Sequence, residues 1–404
     1  MRSIDIESFI SSNVTRRQDS FLKKDLDNNV NILSSEIYNK SVLVIGGAGT
    51  IGSSYIKAIQ KFNPSKLFVV DINENGLTEL TRDLRSNPNI KVPADYKTYP
   101  LNFGDPLFYR ILQHEGPFDI VANFAAHKHV RSEKDQFSVA ALIDNNVLKA
   151  ERLLEYLSKN PPSHFFCVST DKAANPVNIM GASKKMMEEL IIAYSEVIPI
   201  TTARFANVAF SNGSLLDGFI NRIMKRQPFS VPTDVKRYFV SPEESGQICM
   251  FACMLGKSGE IFFPKLDESQ LTSFKDITED FVKSIGMEVI PFDTEQAAKE
   301  YATNMPHDTR TWPVYYFSSD TSGEKAFEEF YTNKEIIDFD RYNSLGVICN
   351  TPRRSLTEIK GITLRLQDVL NSEHLSKVEI VSLLTEIIPT FNHVETGKNL
   401  DQKM

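Results

Sequence analysis

A hydroxyl, an acid and an amine stand side by side in the run from Ser169 to Lys184. Thr170, Asp171 and Lys172 are consecutive, and a second lysine, Lys184, follows on the next predicted helix. A carboxylic acid can give a proton and a neutral amine can take one, so neighbouring groups of these types can serve general acid–base catalysis. The run predicts a proton-transfer site, and a surface ion pair between Asp171 and Lys172 is the plainer alternative.

The segment before these residues predicts where they lie. His164–Val168 is a short apolar run that is typical of a buried strand. Thr170, Asp171 and Lys172 would then emerge at the carboxyl end of that strand, where open α/β sheets bind their ligands.

A glycine-rich loop follows an earlier apolar strand. Val42–Ile45 precedes glycines 46, 49 and 52, which open a predicted helix. In a βαβ unit this GxxGxxG spacing provides a tight turn, a close approach of the backbone to a pyrophosphate, and close helix–strand packing. Amides at the helix start, at Thr50 and Ile51, would add donors and a partial positive charge.

The next strand ends in an acid about 20 residues after the glycines. Lys66–Val70 is followed by Asp71, which can accept the two ribose hydroxyls of an adenosine and would repel a 2′-phosphate. Ile72 stands where a positive residue would favour NADP. The pattern therefore predicts NAD as the cofactor.

Other residues near the same predicted sheet edge complete the expected cofactor site. Small residues after the fourth strand would let a cofactor lie close to the backbone. The long predicted helix 136–158 has two adjacent asparagines, Asn145 and Asn146. Because asparagine is a mediocre helix former, this pair is expected either to tether the helix to the sheet by polar contacts or to lie on a solvated face. The further cofactor residues predicted are Asn102, Phe103, Ala125, Ala126, Asn146, Ser169 and Lys184.

Composition narrows the class of protein. The chain has 404 residues, of which 41% are apolar and 24% charged, and a formal net charge of −7. These values are typical of a globular protein, and they argue against nucleic-acid binding and against membrane insertion. No signal-peptide core or long apolar run is present, so we expect a cytoplasmic protein. The four cysteines form no CxxC pair; we expect buried free thiols and no metal site.

Alternating strands and helices predict a Rossmann doubly wound parallel sheet with a smaller C-terminal domain. The expected division is an N-terminal helical extension at 1–40 that packs on the outside or serves an oligomer contact, an NAD-binding domain at 41–265, a substrate-binding domain at 266–394 with a contribution from 211–240, and a tail at 395–404.

Together with the glycine loop, several runs carry a family resemblance: Ala125–Val130, Ser169–Pro176, Arg204–Val208 and Gly259–Lys265. On these motifs the chain resembles the extended short-chain dehydrogenases. Within them it is similar to the UDP-N-acetylglucosamine 4,6-dehydratases of polysaccharide biosynthesis and their 5-epimerising relatives. The likeness covers about residues 41–270.

The resemblance implies an NAD-dependent dehydration of a nucleotide sugar to a 4-keto-6-deoxy product. Lys172 matches the base that removes the proton on carbon 5, and Asp171 the acid that protonates the leaving hydroxyl of carbon 6. Lys128, Asn207 and Arg237 are the expected substrate-binding residues. Family likeness also suggests a homo-oligomer.

Two positions depart from the family pattern. Met180 stands four residues before Lys184, where most of these dehydrogenases have tyrosine, although the longer dehydratases also carry methionine there. Our hypothesis is that Lys184 exchanges the 4-hydroxyl proton through Thr170 or a water. In the second departure Thr321 replaces the arginine expected to meet the diphosphate, which leaves a GDP-sugar open.

Two further functions remain open from the sequence. An epimerase acting at carbon 4 or carbon 5 would use the same cofactor, but the Asp171–Lys172 pair favours dehydration because simple epimerisation needs no acid at carbon 6. A non-catalytic NAD-binding scaffold is the third possibility, and Met180 is the best argument for it.

Overall fold

The structure is a computed structural model that describes residues 4–319 and 329–393. Its strands are β1 Ser41–Ile45, β2 Lys66–Asp71, β3 Asp95–Pro100, β4 Ile120–Asn123, β5 His164–Val168, β6 Ile200–Ala203, β7 Asn207–Val208, β8 Phe229–Pro232, β9 Lys236–Arg237, β10 Phe239–Val240, β11 Ile261–Pro264, β12 Thr272–Ser273, β13 Glu288–Phe292, β14 Thr311–Phe317, β15 Ile336–Asp338 and β16 Leu345–Cys349.

The α-helices are α1 Ile6–Phe9, α2 Lys23–Ile37, α3 Thr50–Gln60, α4 Glu74–Ser86, α5 Pro106–Glu115, α6 Gln136–Ile143, α7 Lys149–Leu157, α8 Ile179–Tyr194, α9 Leu215–Met224, α10 Pro242–Leu255, α11 Phe274–Ser284, α12 Glu295–Thr303, α13 Leu356–Leu370 and α14 Lys377–Ile387. Two π-helical turns, Ile10–Val14 and Asp144–Leu148, and 3-10 turns at Val130–Glu133, Asp171–Ala173 and Glu268–Gln270 join them.

A nine-stranded sheet in the order β15-β16-β11-β6-β5-β4-β1-β2-β3 forms the centre of the molecule. Strands β1 to β6 and β11 pair in parallel, whereas β15 and β16 are antiparallel. Successive residues of β1 face opposite sides: Leu43 and Ile45 lie in the apolar cluster under α5 to α8, and Val42 and Val44 in the one under α3 and α10. The predicted Rossmann α/β fold is confirmed.

The strand order creates a crevice at one place on the sheet. The chain runs outward from β1 to β2 and β3, then returns so that β4 pairs with the other side of β1. Connections therefore leave β1 and β4 in opposite directions, which opens a binding crevice at their carboxyl ends.

A smaller parallel sheet, in the order β13-β14-β8, packs with α11 and α12. Its core is rich in aromatic side chains: Phe229 and Phe219 stack at 4.3 Å, and Trp312 is fully buried. Strand β8 comes from segment 211–240, and β13 and β14 come from segment 266–394.

The later part of segment 266–394, from β15 onward, joins the central sheet or packs on it instead of joining the smaller sheet. Strand β16 pairs with β11, and Gly346 lies so close to the Phe263 ring that an added Cβ would be 2.2 Å from it. Helix α13 packs on α8, and α14 packs on α13; they bury Ile359 and Leu384 in the cluster that contains Leu43 and Ile45, here called the main apolar cluster. This pairing fully buries the apolar side chains of Leu345, Val347 and Ile348 at the edge of the central sheet.

The N-terminal segment also belongs to the packed structure. Phe9 and Val14 lie in the core of the smaller sheet, and Leu33 and Ile37 lie under the central sheet. Every helix of the described ranges 4–319 and 329–393 is too short or too polar to cross a membrane.

Candidate active site

The loop after β1 has the close contacts that its glycines predict. Gly46 has a φ of +75°, and a Cβ there would lie 2.5 Å from the Ala125 amide nitrogen. A Cβ on Gly52 would lie 2.3 Å from the Gly46 carbonyl oxygen. Both glycines are therefore required by the protein's own packing.

Gly49 differs from these two glycines. It is the N-cap of α3 with an extended backbone, and an added Cβ would meet only the Gly46 carbonyl oxygen, at 3.5 Å. Packing within the protein does not require glycine there. The bare backbone instead leaves space beside the start of α3, where a pyrophosphate is expected to lie.

Asp71 reaches the same loop from the end of β2. Its Oδ2 accepts a hydrogen bond from the Ala48 amide at 3.0 Å, and its Oδ1 accepts one from the Asn73 amide at 2.9 Å. These bonds fix the carboxylate beside the glycine loop. The Ile72 side chain is 71% exposed and offers no charge to a 2′-phosphate.

Asn102 and Phe103 follow the end of β3, beside Asp71. The Asn102 side chain accepts a hydrogen bond from the Gly104 amide at 2.8 Å, whereas the Phe103 ring is buried against Phe108. Phe103 therefore presents only its backbone to this edge of the sheet.

The chain after β4 is held by an asparagine in an irregular helical turn. Asn146 accepts a hydrogen bond from the His127 amide at 2.8 Å and donates to the His127 carbonyl at 2.9 Å and to Ser183 Oγ at 3.0 Å. Asn146 lies in the π-helical turn Asp144–Leu148, which interrupts the predicted helix 136–158. Of the two alternatives for the asparagines, the structure shows the polar tether between helix and sheet, not the solvated face.

Loop 211–214 bridges the glycine loop and the β4 loop. The Asn212 amide donates to Thr50 Oγ1 at 2.9 Å, and Lys128 Nζ donates to the Asn212 carbonyl at 2.9 Å. Ala125 and Ala126 leave β4 immediately before Lys128. These contacts bring Thr50, the two alanines and Lys128 to the same crevice.

The acid–amine pair lies at the carboxyl end of β5, as predicted. Asp171 is 5% exposed, and its Oδ1 accepts hydrogen bonds from Thr170 Oγ1 at 2.8 Å and from Lys172 Nζ at 3.2 Å. The Lys172 amide donates to the same oxygen at 2.9 Å. The burial of Asp171 argues against a simple surface ion pair.

Lys184 is buried on α8 near this pair. Its Nζ donates to the Val168 carbonyl at 3.0 Å and lies 3.8 Å from Met187 Sδ. Burial lowers the pKa of Lys184, although Cys167 and Glu188 act in the opposite direction. The hydrogen bonds of Lys184 do not reach Thr170, so a route through a water remains the prediction.

Met180 is buried in the main apolar cluster at the start of α8. Its amide donates to Glu133 Oε1 at 2.8 Å, and the Ile179 amide donates to Glu133 Oε2 at 3.0 Å. No pattern in the sequence predicts Glu133, because it lies in a polar run, 46 residues before Ile179 and 47 before Met180.

Ser169 joins the site to a buried ion triad. Its hydroxyl donates to Glu188 Oε1 at 2.7 Å, and Arg204 donates to both oxygens of Glu188 at 2.9 and 2.8 Å. Arg204 also donates to both oxygens of Glu335 at 3.0 and 2.8 Å. Burial alone would raise the pKa of Glu188, but the Arg204 guanidinium lowers it to about 2.

The expected substrate residues Asn207 and Arg237 lie on two short strands, β7 and β9, that belong to different two-stranded sheets. Asn207 pairs with Phe239, which lies two residues after Arg237. Arg237 is buried, and its guanidinium donates to the Lys236 carbonyl at 2.9 Å. Thr321 lies outside the described residues. Cys167, Cys249 and Cys253 are buried free thiols, whereas Cys349 is partly exposed.

Comparison with protein families identifies the chain. Residues 42–348 match the family model described as polysaccharide biosynthesis protein. The chain belongs to this family. It is an extended short-chain dehydrogenase of polysaccharide biosynthesis, as the motifs predicted.

Curated relatives of this polysaccharide biosynthesis family member are distant. It is 29% identical over 322 residues to an uncharacterized membrane protein of Methanocaldococcus jannaschii, which covers 78% of the chain and 87% of the relative. It is 28% identical over 316 residues to the capsular polysaccharide biosynthesis protein CapD of Staphylococcus aureus, which covers 76% of the chain but only 47% of CapD. A UDP-glucose 4-epimerase of Rickettsia canadensis is 26% identical, over 82% of the chain and 97% of the epimerase.

A solved structure supports the fold. The X-ray structure of Pen from Bacillus thuringiensis matches with a TM-score of 0.62 and 21% identity, over 83% of the chain and 99% of Pen. The family match and this likeness in fold agree with the Rossmann sheet described above.

The triad leads to a prediction about acid stability. The Glu188 carboxylate titrates near pH 2 in the folded protein and near 4.5 when unfolded. It therefore stabilises the fold above about pH 4.5, and this stabilisation is lost as the pH falls toward about 2. Glu188→Gln should lower the free energy of unfolding at neutral pH by about 3–5 kcal/mol, because it leaves the Arg204 charge only partly paired.

Denaturant titrations at several pH values would measure this. Below about pH 4.5, the stability of the variant should fall less steeply with pH than that of the native protein. Glu386→Gln, which breaks an exposed pair with Arg365, is the matched control and should change little. An equal decline in the native protein and in Glu188→Gln would contradict this assignment.

Proposed function

We propose that the chain is an NAD-dependent sugar-nucleotide 4,6-dehydratase, acting on a UDP-N-acetylhexosamine and most simply on UDP-N-acetylglucosamine. The observation that carries the proposal is the contact between buried Asp171 and partly exposed Lys172, with Nζ 3.2 Å from Oδ1, at the carboxyl end of β5. An enzyme that only moves a hydride on and off carbon 4 needs no such acid beside its base.

The residues at the crevice fit NAD. Gly49 leaves space at the start of α3, Asp71 is fixed beside the glycine loop, and Ile72 offers no partner to a 2′-phosphate. When bound, NAD would supply the acceptor for the hydride of carbon 4 and its later donor to carbon 6.

The chain's own residues supply the proton transfers. A ketone at carbon 4 acidifies the proton on carbon 5, which neutral Lys172 removes. Protonated Asp171 gives its proton to the carbon 6 hydroxyl, so the C6–O bond breaks and water leaves. A proton then returns to carbon 5 as carbon 6 becomes a methyl group, and the net change is the loss of one water.

The 4-hydroxyl proton needs an acceptor, because Met180 has no exchangeable proton. Lys184 is the candidate: burial lowers its pKa, and it lies on the helix that packs against the Asp171–Ala173 turn. In this proposal Lys184 acts through a water, because the Thr170 hydroxyl already donates to Asp171 Oδ1 at 2.8 Å.

A sugar-nucleotide epimerase is the second candidate. The relative named UDP-glucose 4-epimerase favours it, since the match covers 97% of that protein. A GDP-sugar dehydratase and a non-catalytic NAD-binding scaffold are further alternatives.

The deciding experiment follows the mass of the nucleotide sugar. Purified protein with NAD is incubated with UDP-N-acetylglucosamine and, in parallel, with GDP- and other UDP-sugars. We expect UDP-N-acetylglucosamine to lose one water. An isomer of unchanged mass would instead show an epimerase. A reaction with GDP-sugars alone would change the substrate assignment to GDP-sugars. No reaction with any of these sugars would favour the non-catalytic scaffold.

Replacing the proposed acid should separate two steps of the reaction. Asp171→Asn should lower the rate of water loss by about 10²–10⁴-fold, because the leaving hydroxyl is no longer protonated. Slow exchange of the carbon 5 proton with deuterated solvent should persist, since Lys172 is intact. Mass spectrometry in D₂O measures both, with Asp368→Asn on the exposed face of α13 as the control. Full dehydration by Asp171→Asn would remove Asp171 from the mechanism.

Cofactor choice is tested at Asp71. Asp71→Ala should weaken NAD binding at least about tenfold, because the carboxylate that accepts the ribose hydroxyls is lost. Calorimetric titration of the native protein and the variant with NAD and NADP measures this. Tighter binding of NADP than NAD by the native protein would overturn the cofactor assignment.

A further inference from the structure

The start of α8 is capped by a carboxylate from a distant part of the chain. Glu133 is 9% exposed, and its two oxygens accept hydrogen bonds from the amides of Ile179 and Met180 at 3.0 and 2.8 Å. Asn178 accepts from the amide of Gly181 at 2.8 Å. Protein groups therefore bind the first amides of α8, and a substrate phosphate cannot use this helix end without displacing Glu133.

The capped turn lies directly on the catalytic loop. A Cβ added to Gly181 would be 2.7 Å from the Lys172 carbonyl oxygen, so the first turn of α8 and the backbone of Lys172 are in close contact. The first turn of α8 therefore lies directly against the Lys172 backbone and cannot move toward it unless Lys172 also moves. Met180 and Lys184 lie on the same helix.

The C-terminal helices hold this arrangement from the other side. Lys377, the first residue of α14, donates from Nζ to the Glu133 carbonyl at 2.8 Å. Beyond the other end of α14, the Asn392 amide donates to the Pro176 carbonyl at 3.1 Å. The two ends of α14 thus contact the Glu133 turn and the loop that leads from Lys172 into α8.

We propose that Glu133 is a positioning residue of the active site and that α14 anchors it through Lys377. The Glu133 carboxylate fixes the first turn of α8, and this turn sets the position of Lys172 relative to Asp171 and Lys184. The carboxylate itself touches no reacting atom. Its effect on turnover rests on the proposed dehydratase function, whereas its effect on the amides of α8 does not.

Hydrogen exchange of the full-length protein without substrate tests the cap directly. Glu133→Gln keeps the side-chain size but retains only one acceptor oxygen and no charge, so exchange at the amides of residues 179 and 180 should be about tenfold faster. Glu189→Gln is the matched control: Glu189 also links α8 to the C-terminal helices, through Arg354 at 2.7 Å, but from the middle of α8. Unchanged exchange in Glu133→Gln, or equally fast exchange at these amides in Glu189→Gln, would overturn the proposal.

Kinetics then separate positioning from general stability. Glu133→Gln should lower kcat about tenfold or more while the KM for nucleotide sugar and the affinity for NAD stay within about twofold, because displacement of the catalytic groups affects the transition state most. Glu133→Asp should restore part of kcat. A parallel loss of kcat and NAD affinity in Glu133→Gln would contradict a positioning role.

A second variant tests the anchor and avoids dependence on the folding of the first. Lys377→Met keeps a long side chain but removes the ammonium donor, and it should speed exchange at residues 179 and 180 by a smaller factor than Glu133→Gln. No change there would refute the role of α14. A protein that shows the expected exchange pattern but releases no water from nucleotide sugars would refute the dehydratase and leave the Glu133 assignment standing.

Discussion

The buried guanidinium of Arg204 is the interaction on which the rest of the site depends. It is fully buried between Glu188 of α8 and Glu335, and it also donates to the Phe330 carbonyl at 2.9 Å. A buried charge without partners is costly, so strand β6, helix α8 and the segment that leads to β15 must assemble together. Because Glu188 also accepts from Ser169, the same assembly fixes the strand end from which Asp171 and Lys172 emerge.

Helix α8 transmits this constraint along the site. Its middle is tied to Arg204, its first turn is capped by Glu133, and Lys184 lies between them. Polar groups in the first turn and in the middle of the helix therefore have partners in the protein. These partners matter because an unpaired buried polar group costs about 1–3 kcal/mol. A helix held at two levels can keep a buried lysine in one position beside a reactive pair.

Local patterns in the sequence predicted the parts of the site that local geometry determines. The glycine loop, Asp71 and the Asp171–Lys172 pair each follow a strand immediately, so a strand and its parallel neighbours suffice to place them. Glu133 and Glu335 could not be predicted, because their partners lie far along the chain and no periodicity marks them. The partner of strand Leu345–Cys349 could not be predicted for a similar reason: an apolar run shows that a strand is buried but not which sheet edge it joins.

The capping of α8 also bears on where a substrate can lie. In many sites a helix start binds phosphate, but here Glu133 and Asn178 occupy the first amides of α8. The amides at the start of α3 are instead expected to meet the cofactor. For the proposed nucleotide-sugar substrate, the diphosphate would then have to be met by side chains instead, and Lys128 and Arg237 are the two cations among the predicted substrate residues.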